Sequence, residues 1–197
     1  MNNMDNAAAQ TSVTLKDTTA NPGPMGLMAF GMCTLLLNVA LAGYAHIDSL
    51  LLMVEIFSGG VLQAVAGVLE WRKGNTFGCF TFVSAGFLWI ELAGQLILPQ
   101  TGIWHTGPAP VTEGLFLLCW TAISGALFIG VVKMRQRALQ IVLGMVTVLF
   151  LLASAGAFTG NKTISLISDY VGIMTGVMSI SVALKQLLEE VDKVHPH

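Results

Sequence analysis

Apolar residues run through this chain in six long stretches, and none of them alternates with polar residues at the period of two expected of a half-buried strand. The stretches lie at about 24–43, 50–70, 76–98, 113–133, 137–158 and 164–188. Each is close to the ~20 residues with which a helix crosses ~30 Å of hydrocarbon. A strand of a membrane barrel would alternate over ~10 residues. A run such as LQIVLGMVTVLFLLA does not, and in lipid such a run satisfies its backbone only as a helix. The pattern predicts an all-α integral membrane protein, a bundle of six transmembrane helices. Polar residues 1–20 have no apolar core of the kind a signal peptide carries, and are expected to be a disordered tail. Residues 21–188 form the membrane unit, and 189–197 are expected to be a short second tail.

Composition agrees. Of 197 residues, 54% are hydrophobic and 10% charged, with a mean hydropathy of +0.74. Roughly 25% charged residues are usual for a soluble domain, so lipid must be the main solvent. A net charge of −2 without a basic stripe gives no reason to expect a nucleic-acid partner. Cys33, Cys79 and Cys119 lie inside apolar runs without metal-ligand spacing, and are expected to be buried packing residues. Nothing calls for a metal or a cofactor.

Lys and Arg positions give an orientation. The second and fourth connections and the two tails hold eight of these residues, whereas the first, third and fifth connections hold only Lys162. The positive-inside rule then places both chain ends in the cytoplasm. Small residues four apart, at Gly60 and Ala64, Ala126 and Gly130, Ala153 and Ala157, and Gly172 and Gly176, allow close helix packing within one bundle or between subunits.

The segment Asn21-Pro22-Gly23-Pro24-Met25-Gly26-Leu27 opens the first helix. Asn21 suits a cap, and the prolines suit a first turn whose N–H groups have no helical partner. The N–H groups of Met25, Gly26 and Leu27 would face a carboxylate at the positive end of the helix dipole, unless the segment is only a cap. Within the spans, Thr34, Asn38, Gln63, Ser84, Thr147 and Ser179 could line a path or simply join helices. No Lys or Arg lies deep enough to act as a fixed counter-ion, so neutral donors must serve a carboxylate. Glu55 and Glu91 are expected at similar depth in the outer third of the membrane. They either face a wet vestibule or share a proton and confer pH dependence. Glu70, beside Arg72 and Lys73, suits a salt bridge or a cap.

NPGPMGLMAFGM resembles the NPAPLGL-type signature of the acetate uptake transporter family, which includes the succinate–acetate permeases. Further similarity follows in order at LQAVAGVLE (Gln63 to Glu70), KGNTFG (Lys73 to Gly78) and RALQIVLGMVTVLF (Arg137 to Phe150). The resemblance covers residues 21 to 188. It implies a six-helix protomer, usually hexameric, in the cytoplasmic membrane. Each protomer would have its own path for acetate and related monocarboxylates, in some members also succinate, working as a channel or a proton-linked carrier. It further implies an apolar constriction built here from Phe30, Ala85 and Val146. Ala85 stands where a tyrosine is expected and Val146 where a leucine is expected, so this constriction should be wider or lean more on Phe30.

Two other functions remain in view: a channel for a neutral solute such as urea or an amide, and a membrane sensor or scaffold. A sensor would need an output domain, which the short tail after Leu188 does not supply. No HExxH, GxSxG or phosphate-loop pattern points to an enzyme. His46 and His105 fall in loops predicted to face outward, and His195 and His197 in the tail.

Overall fold

The computed structural model describes residues 19–103 and 106–194. The expectations for residues 1–18, His105, His195 and His197 lie outside the described residues.

Among the described residues, six helices are long and apolar enough to cross a membrane. They are α1 (Gly23–Leu41), α2 (Ser49–Arg72), α3 (Thr76–Ile97, extended by a 3₁₀ turn at Leu98–Thr101), α4 (Pro110–Lys133), α5 (Arg137–Thr159) and α6 (Lys162–Val194). The predicted spans match within a few residues, except that α6 runs on through the expected tail to Val194. Glu189, Glu190 and Lys193 keep that last stretch helical, with ion pairs from Lys185 to Glu189 and from Lys193 to Glu190.

Local chemistry explains the helix ends. Asp48 Oδ1 accepts from Leu51 N at 3.0 Å and starts α2, while Asn75 Oδ1 accepts from Gly78 N at 3.0 Å and starts α3. Pro24 and Pro110 sit in first turns. Gly160, at φ 64°, ends α5 in the left-handed conformation that glycine adopts without strain.

Helix α2 is not uniform. Its middle, Val54–Leu62, is a π-helix, a wide turn that often marks functional sites. Gly59 and Gly60 lie within it, and α3 approaches closely there. A methyl group on Gly59 would meet Trp89 Cγ at 2.5 Å, and one on Gly86 would meet Gly60 O at 2.8 Å.

Packing sets the order around the bundle as α3, α2, α1, α6, α5, α4, and α4 returns to α3 only through sparse contacts. The tightest seam joins α1 to α6. Gly172 faces the Asn38 side chain, and a methyl group on Gly176 would come within 2.6 Å of Leu35 N. The small-residue steps at Gly172 and Gly176, and at Gly60, therefore pack inside the protomer. Buried serines join other helices: Ser154 donates to Gly114 O at 2.8 Å and Ser168 to Leu149 O at 3.1 Å.

The core has two parts. One gathers Leu27, Leu88, Val142, Val146, Phe150, Val182 and Ala183. The other gathers Cys33, Leu37, Ala40, Leu51 and Trp89. Many large apolar side chains, including Phe57, Phe80, Phe87, Ile129 and Met174, point out of the bundle. Such a surface requires lipid or other subunits around it. Of the three cysteines only Cys33 is buried. Cys79 is half-buried and Cys119 exposed, so the expectation of three buried packing thiols holds for Cys33 alone.

Candidate functional site

Two cavities lie between the helices, one above the other. The first, about 500 Å³, opens at the face where α1 begins and α6 ends. Asn21, Glu70, Asn75, Arg137 and Glu190 surround its mouth. Its depth is apolar, with Phe82, Ala85, Trp120 and Val146 among its walls. The second, about 250 Å³, opens at the opposite face, with Gln95, Glu113 and Asp169 near its entrance and Thr34 and Asn38 further in.

Three side chains line both cavities: Phe30 of α1, Leu88 of α3 and Phe150 of α5. They form the neck between them. Leu88 is 2% exposed and Phe150 9%, so an apolar plug fills the junction. Each aromatic of the neck rests on a tryptophan. Phe30 lies against Trp89 with ring centroids 6.1 Å apart, and Phe150 against Trp120 at 6.0 Å.

The neck is one helical turn beyond the expected ring. Ala85 and Val146 line the first cavity only. Leu88 follows Ala85 by three residues and Phe150 follows Val146 by four, so each pair shares a helix face. Ala85 is too short to meet side chains from across the path, and the closure falls to the next bulky residues along the same faces. Phe30 borders both cavities. Phe150 lies inside a motif quoted for the family resemblance, yet nothing in a single sequence marks it over Phe158. Leu88 is one of many leucines.

The motifs of the first mouth converge. Asn21 Oδ1 accepts from Gly23 N at 3.0 Å and its amide reaches Glu190 at 3.3 Å. Asn75, from the KGNTFG stretch, donates to Glu70 Oε2 at 2.7 Å. A methyl group on Gly23 would lie 3.6 Å from Glu70 Oε1, and one on Gly78 would meet the Glu70 side chain at 2.9 Å. Glu70 thus joins the starts of α1 and α3 through hydrogen bonding and packing.

Helix α1 starts earlier than the anion-nest reading needs. Gly26 N donates to Pro22 O at 3.2 Å, and Leu27, fifth in the helix, has a helical partner within reach. Of the three N–H groups expected to greet a carboxylate, two are consumed by the helix. Met25 lines a separate groove beside α6, and Phe82 covers Gly26. Leu27 and Asn21 do line the first cavity.

The polar span residues divide in the same way. Gln63 lines the first cavity; Thr34 and Asn38 line the second. Ser84, Thr147 and Ser179 line neither. The hydroxyls of Thr34, Ser84, Thr147 and Ser179 donate to the carbonyls of Phe30, Phe80, Leu143 and Thr175, each four residues back, at 2.6–2.8 Å. Their protons are spent on their own helices. Asn38 Nδ2 likewise donates to Thr34 O at 2.7 Å.

The two acidic residues of the spans differ sharply. Glu55 is 0% exposed, whereas Glu91 is exposed. Neither oxygen of Glu55 has a hydrogen-bond partner among the described residues, so the shared-proton pairing with Glu91 is not formed. Glu55 also lines neither cavity, which removes the vestibule reading for it.

The model of the GPR1/FUN34/yaaH family matches residues 5–194 of this chain. The succinate-acetate/proton symporter SatP of Escherichia coli is 39% identical over 171 residues, spanning 87% of this chain and 90% of SatP. An uncharacterized protein of Methanothermobacter thermautotrophicus is 37% identical over 187 residues, spanning 92% of this chain and 91% of its own. The solved structure of the bacterial acetate channel SatP superposes with a TM-score of 0.83 at 38% identity, covering 87% of this chain and 94% of that one. Six apolar helices, a path with an apolar neck, and similarity along nearly the whole chain place this protein in the GPR1/FUN34/yaaH family.

Proposed function

We propose that this chain moves acetate and related small monocarboxylates across a membrane, along the path formed by its two cavities. The observation that carries the reading is the apolar neck of Phe30, Leu88 and Phe150, closed between two cavities that open at opposite ends of the bundle. Similarity to a succinate-acetate/proton symporter and to an acetate channel supports the substrate class. An aromatic neck of this kind suits a solute with a small apolar body and one polar head.

Asn21, Leu27 and Gln63 line the first cavity, Phe30 the neck, and Thr34 and Asn38 the second cavity; Ala85 and Val146 widen the first cavity below the neck. The protomer assembles as a homohexamer in the cytoplasmic membrane, with both chain ends inside. The outward apolar surface supports a lipid or subunit setting, and the distribution of Lys and Arg supports the orientation.

The test is flux into liposomes carrying the purified protein, with labelled acetate and labelled urea compared side by side. The expected result is acetate uptake that Phe30→Trp abolishes and urea uptake at background. Urea uptake exceeding acetate uptake would replace the monocarboxylate reading with the neutral-solute one.

A further inference from the structure

The transport path leaves one group unexplained. Glu55 lies in the π-helical stretch of α2, wholly buried, with both carboxyl oxygens unpartnered among the described residues. Trp89 of α3 is 3% exposed, and its indole N–H is also buried and unpartnered. Both side chains belong to the same patch of packing. The Trp89 ring lies on Gly59, four residues after Glu55, and Cys33 Sγ closes the third side, donating to Val54 O at 3.4 Å.

A buried carboxyl without partners is unsatisfied in either protonation state. The charged state gains most from an N–H donor, and Trp89 offers one that is unused. The other ionisable groups nearby give no alternative. Helix α1 presents only Cys33, and α1 and α3 contain no Lys, Arg or His. On α3, Glu91 is exposed two residues beyond Trp89, on another face, and Cys79 is near the far end. Within α2, Glu70 is held by Asn75 at the opposite end, beside Arg72.

Trp89 is also the plate on which Phe30 of the neck rests. We propose that Glu55 is a proton-binding site behind the path, and that its ionisation draws the Trp89 indole away from Phe30 and frees the neck. The arrangement seen here, with Trp89 unbonded and the neck filled, is the protonated, closed form. When the proton leaves, it passes to water in the second cavity, which Trp89 borders. The wide π turn presents Gly59 to the ring, so no side chain of α2 holds the indole at that point. The neck's role in transport rests on the function proposed above; the protonation of Glu55 does not.

Two measurements separate these claims. Infrared difference spectra of the protein in lipid, titrated without acetate, should show a protonated-carboxyl band that disappears as pH rises. Glu55→Gln should lack that band, and Glu55→Asp should keep one with a shifted midpoint. Tryptophan fluorescence should change with the same midpoint in the unaltered protein, and the change should vanish in Trp89→Phe. Isotopic acetate exchange at equal pH on both sides should be alike for the unaltered protein and Glu55→Gln at low pH. At high pH the unaltered protein should be faster by about 5-fold or more, the usual range of coupling between sites. A band that survives unchanged in Glu55→Gln, or a fluorescence change independent of Glu55, overturns the proposal. Equal exchange rates at every pH overturn the link to the neck. Titrating spectra with no acetate exchange in any protein would overturn the transport reading and leave the proton site standing.

Discussion

Truncating Phe150 to alanine should speed carboxylate flux far more than truncating Val146, although the two residues are one turn apart on the same face of α5. Phe150 borders both cavities and Val146 only the first. In the closed neck a carboxylate must shed its water where no donor replaces it. Opening the neck by the width of a ring lets the anion keep at least one water hydrogen bond. A hydrogen bond to a charged group contributes about 1.5–3 kcal/mol, which as a lowered barrier means roughly 10- to 150-fold faster passage. The assay is initial uptake of labelled acetate by liposomes at matched protein density, with propionate and succinate as larger probes. Phe150→Ala should also admit the larger probes, and Leu88→Ala should behave alike. Loss of the ring removes a buried aromatic and its contact with Trp120, so a lower melting temperature in detergent is expected as well. Val146→Ala should stay within about twofold of the starting rate, since its side chain bounds a space already open. If Val146→Ala and Phe150→Ala raised flux equally, or if Phe150→Ala left it unchanged while the protein stayed folded, the neck would be misplaced.

Other substitutions test the frame that holds the path. Asn75→Ala should cost about 1 kcal/mol for the lost cap of α3, and more for leaving Glu70 without its donor; thermal melting in detergent measures the sum. Gly176→Leu should abolish stable folding, because even a methyl group there meets the backbone of Leu35 at 2.6 Å; recovery of monodisperse protein after purification is the check. Ser154→Ala breaks a buried link between α5 and α4 and should cost only about 0.6 kcal/mol, the average for hydrogen bonds between membrane helices. A much larger loss in unfolding titrations would mean that this seam carries more than packing.

The six spans were legible because lipid imposes one requirement everywhere, that each backbone group be satisfied within its own segment. Length and apolar content therefore located the helices to within a few residues. The path was legible only where a residue type is rare in its setting. Phe30 and Asn21 stood inside a recognisable stretch, and both line the first cavity. Ser84, Thr147 and Ser179 looked equally suitable, but a hydroxyl in a helix readily bonds to the carbonyl four residues back, and composition does not show which face it takes. Leu88 and Phe150 were hidden for the opposite reason: in a chain rich in apolar residues, a plug and a lipid-facing side chain look alike. The difference between Glu55 and Glu91 was likewise beyond reach, because the π turn that buries Glu55 shifts the register of α2 against α3 and leaves no pattern in the residues.

Charge along the path bears on which form of the acid enters. Glu113 and Asp169 line the second cavity, and among the described residues no Lys, Arg or His joins them. The first cavity has Arg137 at its mouth beside Glu70, Glu189 and Glu190. An anion about 8 Å from one carboxylate at an effective dielectric of about 20 is disfavoured by about 2 kcal/mol, close to 30-fold in occupancy. Two carboxylates deepen this, and the Thr34 hydroxyl proton and one Asn38 amide proton deeper in are already bonded to α1. A neutral carboxylic acid meets none of the repulsion and needs only one acceptor and one donor. Asp169→Asn therefore discriminates between the two species. If the anion enters from this face, uptake should rise by up to about 30-fold at low ionic strength, and the gain should shrink as salt screens the charge. If the protonated acid enters, the substitution should leave uptake nearly unchanged at every salt concentration, and uptake should follow the concentration of undissociated acid. The acidic lining of the second cavity supports the second outcome. A salt-sensitive rise in Asp169→Asn would show instead that this face admits the anion against its own charge.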